Sequence, residues 1–461
     1  MEASVQVRAS SGRERGRSLL LIGLSLGYFM VLMDTTALSV ALPAIRGDLG
    51  GGISGLQWVV NAYTIVFAGL LMSMGALADR WGAKRVYMAG TAVFLAASAS
   101  CAAAPSLGAL IALRGVLGIG GAALLPASLA LLSRAYPEPA ARARALGIWA
   151  ATTGAAMAIG PAAGGVLADG LGWRSIFLIN VPLAAVSLAL TAKLAGEAAV
   201  RSKRSLDLAG QATGIAAIGS LAYALTEGQA RGWSSPVVLG ALCVFAIAAA
   251  AFLRAEAKGA APLLPLRIFR SPTVSAGMTA GLLVNVGFSG VLFALPLYFQ
   301  QAWGYSAHQA GLALLPMTIP LAFNPILTGR LVSRIGSRAP MTAGFALCGI
   351  GVLLQAFGGA GSGYWVILIG MLAIGFSISL TIPAMMAAVL AAVPAELTGS
   401  ASGALNAVRQ LGATLGVVLL GAILGHAGTL EAGVKLGCYA LAVVLAAGSL
   451  LSWAKIGREG R

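Results

Sequence analysis

The sequence predicts an all-helical polytopic membrane protein of fourteen spans, arranged six, two and six along the chain. Three observations predict it. The 461 residues are 59% hydrophobic and only 10% charged, with a mean hydropathy of +0.90. Globular domains carry roughly 25% charged residues and about 45–50% apolar ones, so a soluble multidomain enzyme is excluded. Apolar windows of about 20 residues, the length that crosses a bilayer, recur along the chain and leave no room for a folded extramembrane domain. Finally, the net charge of +16, from 30 Lys and Arg against 14 Asp and Glu, would suggest nucleic acid in a soluble protein, but here the cations fall between the windows.

The spans follow from where turn residues and charges interrupt the apolar windows. Residues 1–18 form a basic tail with Arg8, Arg13, Arg15 and Arg17. Tail and apolar run together have the outline of a signal peptide, but the run is too long for an h-region and no small-residue cleavage site interrupts it. It is read as a retained span, 19–43. Spans at 56–78, 86–104, 107–132, 143–168 and 174–195 complete an N-terminal six-helix group, 19–195. A linker region, 196–271, holds two extra spans at 207–227 and 235–254. Its Pro262–Arg270 stretch alternates apolar and basic residues, as an interfacial segment against the inner leaflet would, serving as a simple anchor or as a lateral gate or coupling helix. Spans at 272–299, 309–331, 339–358, 364–391, 399–426 and 433–454 form the C-terminal group, 272–454, before a tail at 455–461.

Basic residues orient the chain, because Lys and Arg in short loops stay on the cytoplasmic side. With a cytoplasmic N-terminus, 24 of the 30 Lys and Arg fall on the inside and four (Arg46, Arg174, Arg231 and Lys435) outside. Both termini are then cytoplasmic. The two left over, Arg114 and Arg409, fall inside spans. The charge therefore encodes orientation in a lipid bilayer and gives no reason to expect a nucleic-acid partner.

Cys101, Cys243, Cys348 and Cys438 stand singly in apolar stretches, and the two histidines, His308 and His426, are far apart. No zinc or redox spacing exists, so no metal and no cofactor is expected. No phosphate-binding Gly-x-x-x-x-Gly-Lys-Ser/Thr loop is present either, which argues against an ATP-driven pump.

Four stretches carry the functional reading. Gly75-Ala-Leu-Ala-Asp79-Arg80-Trp-Gly82-Ala-Lys84-Arg85 follows the second span as a tight basic hairpin, with Gly82 supplying the turn. An echo, Gly329-Arg-Leu331-Val-Ser333-Arg334-Ile-Gly336, follows the tenth, with Ser333 in place of Asp79. Matching positions imply an internal repeat. The fifth span contains Gly160-Pro161-Ala-Ala-Gly164-Gly165, where proline kinks the helix and glycines admit a neighbour. Met33-Asp34-Thr35-Thr36-Ala-Leu-Ser-Val-Ala-Leu-Pro43 ends the first span.

These strings resemble the signature motifs of the major facilitator superfamily. The hairpin is similar to its loop motif, and the Gly160–Gly165 stretch to its antiporter motif, with Ala156 in place of the first glycine. The Met33–Pro43 string resembles the fourteen-helix drug:proton antiporter branch. So do Trp58-Val-Val-Asn61-Ala-Tyr63, Gly172-Trp173-Arg174-Ser-Ile-Phe177-Leu-Ile-Asn180-Val-Pro182 and Asn406-Ala-Val-Arg409-Gln410. The branch includes antibiotic-resistance exporters of the methylenomycin type. The resemblance covers almost the whole chain and implies two six-helix bundles with two extra helices between them, working as a monomer.

Asp34 lies about fifteen residues into its span, where a carboxylate costs roughly 2.5–3.5 kcal/mol. It is the one acid placed well inside a span, and is read as the proton carrier or as an interior residue hydrogen-bonded to Thr35. Arg114, in a string similar to the family's fourth-helix motif but with Leu117 where a polar residue is usual, is its candidate partner for proton coupling; a permanent helix anchor is the other reading. Asn406, Arg409 and Gln410, with Asn285, Phe288 and Tyr298 from the ninth span and Met33 and Tyr63 from the first half, are candidate cavity residues. Gly75, Asp79, Arg80, Gly82, Lys84 and Arg85 are candidates for a conformational gate. The implied function is export of a small hydrophobic drug or antibiotic in exchange for protons, from the cytoplasmic membrane. An uptake symporter on the same fold is the alternative, and a membrane enzyme or receptor a remote one. One interior acid against two arginines favours neutral, monocationic or anionic substrates over dications.

Overall fold

A computed structural model describes residues 2–196, 208–258, 266–358, 364–394 and 397–457. Within them the chain is helical, connected by short turns. The first stretch holds α1 Glu2–Leu49, α2 Ile53–Trp81, α3 Ala83–Ala102, α4 Leu107–Ala135, α5 Pro139–Leu171, α6 Ser175–Leu178 and α7 Asn180–Leu194. Then come α8 Leu208–Arg231, α9 Pro236–Lys258 and a 3-10 turn, Leu266–Arg270. The remainder is α10 Pro272–Gln301, α11 Ala307–Ala313, α12 Leu315–Ile335, α13 Arg338–Ala356, α14 Tyr364–Ala391, α15 Thr398–His426 and α16 Leu430–Lys455.

Helix starts carry their own signals. Ser106, Ser271, Ser306 and Thr429 accept hydrogen bonds from backbone N–H groups of the first turn, and Ser306 forms a reciprocal capping box with Gln309. The hairpins after α2 and α12 turn on Gly82 and Gly336, with φ of +97° and +76°, in the left-handed region that favours glycine. Each glycine N–H closes its helix on a carbonyl four residues back, Ala78 and Val332. The two hairpins are thus alike in backbone as well as in sequence. Each also ties to a later helix through the residue two beyond the glycine. Lys84 Nζ donates to the Ala192 carbonyl at the end of α7, at 2.9 Å, and the Arg338 guanidinium lies 5.5 Å from the ring centroid of Trp453 on α16.

Two expected spans are broken by proline. The sixth is divided at Ile179 into α6 and α7, because Pro182 has no N–H to offer the Leu178 carbonyl. The tenth bends by 43° between α11 and α12, where Pro316 interrupts the ladder in the same way.

Among the described residues, twelve helices are long and apolar enough to cross a membrane, and α11 with α12 makes a thirteenth. The shortfall from the expected fourteen is α8. It has 24 residues, among them Gln211, Thr213, Ser220, Thr226 and Glu227. It packs on α9, α2 and α15. Glu227 fastens it to α2, accepting from Trp58 Nε1 (3.1 Å) and Ser54 Oγ (3.3 Å) while pairing with Arg231. Of the Pro262–Arg270 stretch, Leu266–Arg270 forms the 3-10 turn; residues 262–265 lie outside the described residues, as do 458–461 of the C-terminal tail.

Helices α1 to α7 pack among themselves, α1 on α5 and α7, and α4 between α2 and α3. Helices α10 to α16 do likewise, with α10 against α15 and α16, and α14 against α12 and α13. The two groups meet where α2 touches α15, α5 touches α11 and α12, and α1 touches α10. The hydrogen bonds across that seam gather toward the end where α1 finishes. Gln57 Nε2 donates to the Val417 and Val418 carbonyls (both 3.0 Å), and Gln300 Nε2 to Val40 O (2.9 Å). The Asp169 carboxylate accepts the Ala307 and His308 N–H groups at 3.1 and 2.7 Å.

Candidate functional site

Between the two groups lies a cavity of about 140 Å³. Its α1 wall is a stripe at helical spacing: Tyr28, Val31, Leu32, Thr35, Ser39 and Leu42. Tyr63 and Phe67 come from α2, Asn285, Phe288 and Phe293 from α10, and Asn406, Arg409 and Gln410 from α15. Six of the eight sequence-predicted cavity residues therefore meet. The other two do not. Met33 is buried two residues from Thr35, a rotation of about 200° round the helix, so it leaves the cavity face and lies in the α1 segment that faces Gly160 of α5. Tyr298 is three turns beyond Phe288, toward the closed end. Its hydroxyl donates to Gly358 O at 2.9 Å, and its ring packs with Phe299 and Trp303.

Behind the Tyr63 wall lies the buried ion pair. Arg114 Nη1 donates to Asp34 Oδ2, with both side chains excluded from solvent at 1% and 0% exposure. Such a pair holds only when the remaining polar atoms are also satisfied. Arg114 Nε donates to Val59 O (3.0 Å), and Asn180 Nδ2 approaches the other Asp34 oxygen at 3.4 Å while also donating to Ser98 Oγ (3.1 Å). The guanidinium lies 4.6 Å from the centroid of the Tyr63 ring and 5.9 Å from that of Phe177. Tyr63 thus touches the ion pair on one side and lines the cavity on the other. Asn180 and Ser98 were missed as site residues: a lone amide in an apolar stretch gives no sign of which neighbour it faces.

The other motif residues are placed as follows. Gly160 and Gly164 let α5 lie against α1: a Cβ on Gly164 would sit 2.7 to 2.8 Å from Ala37 backbone and side-chain atoms. Gly165 faces the other way, toward the second group, where a Cβ would lie 2.4 Å from the Ala307 carbonyl; Gly311 makes the reciprocal approach to Pro161 O. Gly75 packs near Pro126, Asp79, Arg80 and Arg85 are exposed, and Lys84 is engaged with α7.

The family model "Major Facilitator Superfamily" matches residues 24–417, and again 277–459. The chain belongs to the major facilitator superfamily. It is therefore a multi-pass membrane transporter and not an enzyme. Among superfamily members, this chain is 38% identical to the methylenomycin A resistance protein of Bacillus subtilis (strain 168), over 98% of this chain and 96% of that one. With the protein of the same name from Streptomyces coelicolor the identity is 34%, over 99% and 96%. The multidrug resistance protein Stp of Mycobacterium tuberculosis (strain CDC 1551 / Oshkosh) shares 37% over 89% of this chain and 76% of its own. The relatives are thus drug- and antibiotic-resistance proteins of the superfamily. Among solved structures, a POT family transporter superposes with a TM-score of 0.69 at 14% identity, covering 94% of each chain. A bacterial homolog of the human lysosomal transporter Spinster gives 0.66 at 17%, covering 95% and 96%. These two establish the fold alone.

Proposed function

We propose that this chain exports a small hydrophobic drug or antibiotic across the cytoplasmic membrane in exchange for inward-moving protons, by alternating access, as a monomer. The observation that carries the reading is the buried Asp34–Arg114 pair set directly behind a cavity wall. Asp34 is the proton carrier and Arg114 its partner. When Asp34 takes a proton, the attraction holding the guanidinium is lost, and Arg114 keeps only the Val59 carbonyl and the faces of Tyr63 and Phe177. Because the Tyr63 ring is shared with the cavity, that release is felt by the substrate. A ligand and a proton that favour opposite arrangements of one element are coupled whichever arrives first.

The antibiotic-resistance relatives support the outward direction. The positive-inside rule supports cytoplasmic termini, and places the closed, Gln57-bearing end outside and the exposed Asp79–Arg80 hairpin inside. In that orientation α8 crosses as a fourteenth span between two six-helix bundles, 19–195 and 272–454, held by Glu227 at its outer end.

The test is drug efflux from an efflux-deficient host, with proton-linked flux in inverted vesicles. Asp34→Asn is expected to abolish proton-coupled efflux while leaving the protein in the membrane. Undiminished coupled efflux by that variant would remove Asp34 from the mechanism, and proton-linked flux in the opposite sense would favour the uptake symporter.

A further inference from the structure

Just inside the hydrogen bonds that close one end of the seam, two polar side chains are left without any. Gln57 Nε2 donates to the Val417 and Val418 carbonyls of α15. One turn inward on α2 stands Asn61, with 0% exposure, and neither its Nδ2 nor its Oδ1 has a hydrogen-bond partner among the described residues. Thr414 of α15 is equally buried, and its Oγ1 is likewise unpaired among them. Asn61 belongs to the Trp58–Tyr63 string, yet it neither lines the cavity nor bonds to the Asp34–Arg114 pair.

Helix register places both in the moving seam. Gly421 of α15 packs directly on the Gln57 side chain. Thr414, seven residues earlier, is on that same face two turns deeper. Asn61 is about 40° round α2 from Gln57, turned toward the side where Trp58 meets Tyr223 and Ile65 meets Gly219 of α8. Because α8 also touches α15, the amide lies in the wedge where these three helices join. A buried amide bonded at neither end has given up water and gained nothing in return. In the closed arrangement Asn61 and Thr414 both bear that loss; when α2 and α15 part, water reaches the seam and relieves it. Gln57 therefore favours the closed arrangement, while its neighbours one and two turns deeper favour the open one.

We propose that Asn61, together with Thr414, is a positioning residue of the seam: unpaired while this end is shut and hydrated when it opens, it offsets the Gln57 bonds and keeps the two arrangements near enough in free energy to interchange. The inference rests on the two groups parting at this end, as alternating access requires. It does not depend on the substrate, the proton or the direction of transport.

The experiment reads stability and the closed–open balance without any substrate. Purified full-length protein in nanodiscs, with the four native cysteines replaced, carries nitroxides on Gly52→Cys and His426→Cys, both exposed at this end of α2 and α15. Double electron–electron resonance gives the two populations, and thermal melting is followed on the same variants. Asn61→Leu keeps the branched shape of the side chain and Thr414→Val that of the hydroxyl. Each should raise the melting temperature by about 2 °C or more, the reverse of what most core substitutions do; Asn61→Val makes the same test without added volume. In a Gln57→Leu/Asp169→Asn background, where bonds across the seam are lost, Asn61→Leu should lower the open-to-closed ratio about tenfold. Thr226 Oγ1 is also buried and unpaired among the described residues, but on α8, which Glu227 fastens to α2. Thr226→Val should therefore raise the melting temperature and leave that ratio within about twofold. The proposal is overturned if neither Asn61→Leu nor Asn61→Val melts above the parent, since a trapped water would then be satisfying the amide. It is overturned equally if Thr414→Val melts below the parent, if Asn61→Leu leaves the ratio unchanged, or if Thr226→Val lowers it as much. Proton-linked flux in the opposite sense would count against the export reading alone and leave these results standing.

Discussion

A carboxylate and a guanidinium facing each other inside a bilayer are tolerable only together. Removing one partner from such a pair costs about 3–5 kcal/mol, because the survivor is left as an uncompensated charge. Arg114→Met is therefore expected to lower unfolding stability in detergent by that order, and the Asp34→Asn/Arg114→Met double variant to recover much of it. The measurement is a double-mutant cycle by thermal or denaturant unfolding; simple additivity of the two losses would show that the pair is not coupled. Both residues were legible in the sequence, since ionisable side chains deep in apolar windows are rare and expensive. Their contact was not legible, because 80 positions separate them and only the packing of α1 against α4 brings them together. Met33 and Tyr298 illustrate a second gap. Depth along a helix follows from residue number, whereas the direction a side chain faces depends on how the helix is rotated in the bundle. The α1 stripe from Tyr28 to Leu42 carried that rotation in its hydroxyl and aromatic spacing, and it excludes Met33.

The helix α5 shows what a motif does once it is folded. Gly160–Gly165 was legible as a stretch that admits a close neighbour; that it admits two, on different faces, was not. Gly164 meets α1 within its own group, while Gly165 meets the α11 backbone across the seam. The two positions should therefore respond differently to an added methyl. Overpacking a tight site costs typically about 1–3 kcal/mol. In Gly164→Ala that cost falls on the fold itself, and the melting temperature in detergent should drop. In Gly165→Ala it falls on an interface that exists only while this end is closed, so transport in vesicles should change more than the melting temperature does. Equal thermal losses in the two variants would mean that the α5–α11 approach belongs to the permanent core. The helix ends were read to within a few residues elsewhere, because Ser, Thr, Pro and Gly mark them locally, except that α1 begins at Glu2 and not near residue 19. What was not legible for α8 was its attachment, which runs through Glu227, a residue the sequence offered only as a span end.

For the molecule as a whole, the sequence-level asymmetry of charge becomes sharper in three dimensions. Of the four cations at the end where α1 finishes, Arg174 pairs with Asp48, Arg231 with Glu227 and Lys435 with Glu431, so the net positive charge there is nearly cancelled. At the opposite end Arg80, Arg85, Arg134, Arg144, Arg330 and Arg334 are exposed. The same two ends differ in how they are joined. Gln57, Gln300 and Asp169 bond across the seam at the first, to backbone partners that no side-chain substitution on the far side removes. A neutral bond of this kind contributes about 0.5–1.5 kcal/mol and one to a charged group about 1.5–3 kcal/mol. Replacing Gln57 by Leu and Asp169 by Asn together should thus shift the closed–open balance by about 2–4 kcal/mol, some thirty- to several-hundredfold in population. A cysteine placed at Ser39, buried on the cavity side of α1, reports the shift in a background with the four native cysteines replaced. In right-side-out vesicles, a membrane-impermeant maleimide should leave that cysteine unlabelled in the parent and label it in the Gln57→Leu/Asp169→Asn variant. In inverted vesicles the order should reverse, the parent labelling faster. Labelling of the parent from the outside would mean either that the seam bonds do not close this end or that the chain lies in the membrane the other way round, and a reporter at Lys84 distinguishes the two by the side from which it reacts.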